Sequence, residues 1–353
     1  MAKKRGNHEG SIWRLPSGSF RAQISLQGKR LSFTSASRKD CQDWLRETST
    51  EIDNGLTYAV TKVTVKEYMR EWLLAKKPAI VSSSWVQYEQ ISRAYIVPAL
   101  GDYRVRDLHP NHIQGLYNRL VERGASPQLI GKVHQVLHSA MAQGVRMGTL
   151  IRNPATFAER PKIPIKEMAI LDETQASKFL VSVIGHRWEA LFHLALVTGM
   201  RQRELLGLKW SDLDWLRKFI TVERQLVIPH GNGVKFATTK TRYGRRSISL
   251  GRKTLEILRN HLDLQQLERV AVGERWQEFG LIFTTSNGTP IHPRNLLRDF
   301  KMLLKAAGLP PIRFHDLRHT SASLMLNSNI PPIVVSRRLG HSKPSVTLDV
   351  YGH

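Results

Sequence analysis

At 353 residues the chain is too long for one ordinary core and points to two or three domains. Its 53 lysines and arginines against 29 acidic side chains leave a net charge of +24, a field that favours a polyanionic partner. A lone Cys41 excludes an internal disulfide and a cysteine metal cluster. No apolar run is long enough to span a bilayer, and the basic start MAKKRGNHEG lacks the apolar stretch of a signal peptide, so a cytosolic protein with no membrane partner is expected. The excess charge is spread: +4 over residues 1–60, +8 over 61–165 and +12 over 166–353. A single basic tail would leave neutral segments, so contact with nucleic acid along the whole chain is expected.

The first segment reads as three short strands and a helix. SIWRL ends at the turn PSGS. FRAQISL alternates Phe20, Ala22, Ile24 and Leu26 with polar residues, the period of a half-buried strand. A tight turn at Gly28 leads to RLSFT, and Ser35 or Ser37 can cap a helix running to about Asp53, stopped by Gly55. Arg14, Arg21, Gln23 and Arg30 are candidates for the sheet face away from the helix. A small basic sheet of this kind can lie in a DNA major groove, and a plain solvated face would give the same pattern.

Four helices follow, at about 64–76, 83–96, 110–123 and 127–147. Thr64 and Glu67 have capping-box spacing, Pro110 sits in a first turn, and Gly124 and Gly148 are helix stops. Ile113, Leu116, Tyr117 and Leu120 form one apolar stripe. Ile130, Val133, Val136, Leu137, Ala140 and Met141 form another, and both are expected in the core. RNPATFAERPKIPIKE, proline-rich and charged, reads as a linker. The expected domains are 1–58, 59–160 and 161–353.

The third segment is mainly helical, with a strand pair expected around FITVERQLVI and KFATTKTRYGRRSISL. In LALVTGMRQRELLGLKW, Arg201 and Glu204 stand three apart beside a Thr-Gly break in apolar surroundings. A cation there needs a partner. Glu204 can orient the guanidinium and leave its fork for a phosphate, or the two can form a structural ion pair. In RFHDLRHTSASLML, His315 and Arg318 share a helix face and deliver an imidazole and a cation to one point; His319 is offset and expected to be exposed. Lys240 is expected on a hairpin between KFATT and RRSISL, where a lysine can swing into a site or stay solvated. Arg242, Arg245 and Arg246 beside it are candidate backbone-phosphate contacts. Ser342 and Pro344 can start a short final helix with His341 at its entrance and Tyr351 near its end. Two residues follow Tyr351.

Each of these signals taken alone fits an ordinary fold. Their succession, TGxRxxE, TKTR, HxLRH, LGH and a tyrosine ten residues on, resembles the tyrosine recombinase family of phage-integrase type over residues 194–353. IVPALGDYRVRDLHPNHI with LIRNPA is similar to the family's helical core-DNA-binding domain, and the first 55 residues resemble its small arm-binding domains. The resemblance implies a multi-domain fold, mainly α with small β-sheets: a three-stranded sheet plus helix, a helical bundle, and a mixed α+β catalytic domain. It implies a site-specific DNA recombinase, the integrase of a phage or mobile element, acting in the bacterial cytoplasm or nucleoid. Tyr351 would be the nucleophile, Arg201 and Arg318 would clamp the scissile phosphate, and Lys240 would be the general acid. His315 and His341 would assist proton movement, and Glu204 would support.

The resemblance further implies double-stranded core and arm attachment sites, a homo-tetramer passing through a Holliday junction, and a DNA-bending or directionality factor. Family members commonly dock a tail beyond the tyrosine on a neighbouring subunit. The chemistry fits these residue types: two guanidiniums can stabilise charge on nonbridging phosphate oxygens with no metal or cofactor. No acidic cluster suggests a two-metal nuclease. The alternatives are a type IB-like topoisomerase, or a DNA-binding regulator with an idle site.

Overall fold

The structure, a computed structural model, describes residues 10–26, 29–53, 63–164, 169–228, 233–238 and 244–340. The alternation in FRAQISL builds the centre of an antiparallel sheet of order β1 (Ser11–Arg14), β2 (Phe20–Leu26) and β3 (Lys29–Ser35). Ala22, Ile24 and Leu26 are buried on the side of helix α1 (Arg38–Asp53), which also buries Cys41. The register sets Trp13 opposite Arg21, Arg21 opposite Thr34, and Ser25 opposite Arg30, so Trp13, Arg21, Gln23 and Arg30 share the face away from α1. Arg14 does not belong to that face. It pairs with Phe20, in phase with the buried residues, and its guanidinium lies 6.0 Å from the Phe20 ring centroid.

Helices α2 (Val65–Lys76), α3 (Ser82–Ile91), α4 (Val97–Leu100), α5 (Pro110–Glu122) and α6 (Pro127–Arg146) follow. The Thr64–Glu67 capping box forms, with the Glu67 carboxylate accepting the Thr64 N–H at 2.9 Å. Every residue of the two apolar stripes on α5 and α6 is buried, and with Met69 and Trp72 of α2 they make one core. The helix expected over 83–96 continues instead through a π-helical turn, Ser92–Ile96, into α4. The wider turn falls just ahead of Pro98, whose missing N–H and bulky ring disfavour an ordinary α-helical interior.

The chain divides into two compact units, Met1–Ile165 and Lys166–His353. The second contains α7 (Glu173–Ser182), α8 (Glu189–Thr198) and α9 (Gln202–Leu205). The strands β4 (Leu213–Asp214), β5 (Phe219–Val222), β6 (Arg224–Val227), β7 (Lys235–Thr238) and β8 (Arg246–Ser249) come next. Helices α10 (Arg252–Val272), α11 (Pro293–Ala306), α12 (Asp316–Asn327) and α13 (Pro332–Leu339) complete it. The sequence EALFHLALVT is apolar nearly all round, and α8 is accordingly buried, packed against α10 and α12. Its Phe192 joins Phe179, Phe300 and Phe314 in a ring-to-ring cluster.

The expected single strand pair is in fact two. β5 pairs with β8 in the sheet β4-β5-β8, and β6 pairs with β7 in a separate ribbon. The strands flanking Lys240, β7 and β8, therefore belong to different sheets and do not make a hairpin with each other. Among the described residues no helix is long and apolar enough to cross a membrane.

Candidate active site

The site is built where buried α8 ends. Gly199 closes that helix with φ +63°, a left-handed conformation that side chains resist, and a Cβ there would collide with Leu339 and crowd Ser321. The chain then turns out through Arg201 in an extended conformation and re-enters as α9. Glu204, 3% exposed, reaches back from the first turn of α9. Its carboxylate accepts the Arg201 N–H at 3.0 Å and Arg201 Nη1 at 2.7 Å. Arg201 keeps 41% of its side chain exposed. Its Nε and Nη2 make no hydrogen bond among the described residues, so the fork is oriented by one nitrogen and open at the others.

Glu204 holds a second cation. Arg246 Nη2 donates to its Oε2 at 2.9 Å from the opposite side, and only 7% of the Arg246 side chain is exposed. Burial pulls the Glu204 carboxyl upward, but Arg246, together with the Arg201 amide and guanidinium, outweighs it and holds the group below its ordinary range. Glu204 is thus an anion at neutral pH.

Arg318 comes from the first turn of α12. It is buried to 3% exposure and donates from Nη1 to the Gly199 carbonyl at 2.7 Å. That bond ties it to the turn that presents Arg201. His315 is the residue just ahead of the same helix and lies exposed at its mouth. Loss of water on its inner side, then His319, Arg318 and Arg201, hold its pKa below 6.5, so both guanidiniums act on one imidazole. The Arg318–Gly199 bond sets the start of α12, with His315 just ahead of it, beside the turn that presents Arg201. The approach to α12 is fixed by Asp316, whose buried carboxylate takes the Arg313 N–H at 2.7 Å and Arg313 Nη2 at 2.7 Å.

His319 differs from expectation: it is half-buried, its ring 5.1 Å from that of His315 in an edge-to-face contact. Arg246 also differs, its guanidinium lying inside the unit rather than on its surface. The signal was present in the strand phase, since Arg246 alternates in step with buried Ile248 and Leu250. Arg245 faces outward, 64% exposed and 3.8 Å from Glu223. Arg21 and Arg30 are exposed on the open sheet face. Sequence reasoning also passed over Arg338, which donates to the Val197 and Ser249 carbonyls, both at 3.2 Å, and so fastens the end of α13 to α8 and β8. Lys240, Arg242, His341 and Tyr351 lie outside the described residues. Among those described, no cluster of histidine, cysteine and acidic side chains could hold a metal ion.

The family model for the phage integrase family matches residues 168–353, and that for the phage integrase N-terminal SAM-like domain matches 64–121. A tyrosine recombinase XerC-like protein of Caldanaerobacter subterraneus is 31% identical over 347 residues, covering 92% of this chain and 88% of the relative. An integrase of Streptomyces ambofaciens is 28% identical over 99% of this chain and 94% of its own. Among solved structures, the Tn1549 transposon integrase in complex with transposon right end DNA superposes with a TM-score of 0.73 at 21% identity, over 82% of this chain and 95% of that one. A lambda integrase tetramer bound to a Holliday junction gives 0.63 at 19% identity, over 99% and 98%.

Proposed function

The chain belongs to the phage integrase family of tyrosine recombinases, enzymes of site-specific DNA recombination, and from that premise we propose how its residues divide the work. Arg201 and Arg318 take the nonbridging oxygens of the scissile phosphate. Their charges oppose the negative charge that gathers there in the transition state, in place of a metal. Tyr351 attacks phosphorus through its phenol oxygen. The bond to the 5′-oxygen breaks, Lys240 gives that oxygen its proton, and the strand is left as a 3′-phosphotyrosine. Because the phosphodiester energy is kept in that linkage, a 5′-hydroxyl can reverse the step and rejoin a strand without ATP.

His315 is neutral near pH 7, so it can donate one hydrogen bond to the phosphate and accept a proton on its other nitrogen. His341 acts beside it. Glu204 orients Arg201. The carrying observation is that Arg318 is bonded to the turn that presents Arg201, with a buried carboxylate orienting the half-exposed Arg201 guanidinium.

The substrate is double-stranded DNA. On the same reading residues 1–58 bind arm sites through the open sheet face, 59–160 and 161–353 bind the core site, and four protomers exchange strands through a Holliday junction. The lambda integrase relative has been seen as such a tetramer.

The test begins with a site selected by the wild-type chain from a random-sequence duplex pool. That site is nicked so that cleavage releases a short strand and traps the adduct. The wild type should form a denaturation-resistant protein–DNA band, and Tyr351→Phe should form none while still binding. An adduct that survives Tyr351→Phe, or its absence from the wild type, overturns the assignment.

A further inference from the structure

We propose that Arg246 is a positioning residue for recombination, a three-way clamp that holds the Arg201–Glu204 pair in register with the end of α13. The inference rests on the reading above and adds a residue that reading does not use. Arg246 opens β8 at an inward position, opposite Val222 and in step with Ile248 and Leu250. A cation placed there must find partners, and it finds three. Nη2 donates to Glu204 Oε2 at 2.9 Å, Nε to the Arg338 carbonyl at 2.6 Å, and Nη1 to the Gly244 carbonyl at 3.1 Å.

Those acceptors belong to α9, α13 and the residue two before Arg246 itself. A guanidinium presents its donors in one rigid plane, so satisfying all three fixes the relative placement of the elements that carry them. Their sequence positions matter. Glu204 orients Arg201; Arg338 stands three residues before His341; Gly244 stands four after Lys240. Arg338 is fastened in turn to the Val197 and Ser249 carbonyls, so the α13 end of the clamp is tied to α8 and β8. All three nitrogens of Arg246 already donate to protein acceptors, so the side chain acts through those partners and not on a DNA phosphate.

The experiment uses the full chain with Arg246→Lys and Arg246→Met on the nicked selected duplex. DNA affinity and its salt dependence are measured first, then the single-turnover rate constant and amplitude of adduct formation at saturating DNA. The clamp predicts affinity within about twofold of wild type. It predicts a rate constant lower by about 10- to 100-fold in both variants, the scale expected when reacting groups are misplaced by about an ångström. Lysine should not restore the rate, since a single ammonium cannot serve three acceptors in one plane. Misfolded protein lowers the amplitude and leaves the rate constant alone, so the rate constant reports positioning even if the variants fold poorly. An unchanged rate constant, full recovery in Arg246→Lys, or weakened binding with a shallower salt slope overturns the proposal. Failure of the underlying recombinase reading shows separately, as a wild type that makes no adduct at Tyr351.

Discussion

Glu204 illustrates how one buried carboxylate can serve two cations with different tasks. Towards Arg246 it completes an enclosed ion pair, and towards Arg201 it turns a half-exposed fork outward. Removing one member of a buried pair leaves the other charge unsolvated, which typically costs about 3–5 kcal/mol. Glu204→Ala is therefore expected to lower the unfolding free energy of the second unit by that order in denaturant titrations, and Glu204→Gln by clearly less, because its amide oxygen still accepts. An Ala variant as stable as wild type would mean the pair carries no such load.

His315 gives a second test at this scale. Its folded pKa is depressed below 6.5, so the neutral ring is favoured by the fold; that contribution is complete above pH 6.5 and is lost as pH falls below it. An NMR titration of the free protein should place its midpoint under 6.5. Arg201→Gln should move it upward by removing a nearby cation. A midpoint that does not move in Arg201→Gln would contradict the placement of that cation near the ring.

Helix α6 shows what a periodic sequence reveals and what it hides. Its apolar stripe was legible because six core positions recur at helical spacing, and each is buried as the spacing requires. His134 lay outside that stripe, and it is held between the Tyr117 hydroxyl of α5 at 2.9 Å and the stacked His138 ring one turn further along α6. Burial first, then Arg160 and His138, push its pKa down to about 4. The unfolded chain therefore takes up a proton near pH 6.5 that the folded one refuses until about 4. Stability of the first unit should fall as pH drops across that window, and His134→Phe should flatten the decline. A pH-independent unfolding midpoint between 6.5 and 4 would contradict this.

The same contrast runs through the site. Arg201 with Glu204, and His315 with Arg318, were legible because their spacing along one short segment already sets them on one face. The inward direction of Arg246 was readable from its strand phase, but its partners, the role of Arg338 and the non-pairing of β7 with β8 were not, because they depend on which distant strand or helix end is brought alongside. Arg14 was misplaced by one register step, and pairing, which sets the face of a strand, is a long-range fact. From that register, replacing Arg21 and Arg30 together by alanine should flatten the plot of log affinity against log salt by about two phosphate contacts' worth. Arg14→Ala should leave it unchanged, and a slope that responds to Arg14 alone would place the DNA on the other face.

Across the whole molecule the net charge of +24 sets affinity and the site residues set chemistry. The first binds duplex of any sequence, weakens steeply with salt, and would be shared by a protein with an idle site. The second would distinguish an enzyme, and on the proposed reading it needs Arg201 just ahead of α9, residues at the start of α12 and Tyr351 to meet at one phosphorus atom. The most direct measurement is therefore an experimental structure of the protein trapped on the nicked selected duplex. The account predicts a covalent bond from phosphorus to the Tyr351 phenol oxygen, with Arg201 and Arg318 both within hydrogen-bond reach of the nonbridging oxygens. A phosphorus bonded to any other residue, or either guanidinium turned away from it, would contradict the account.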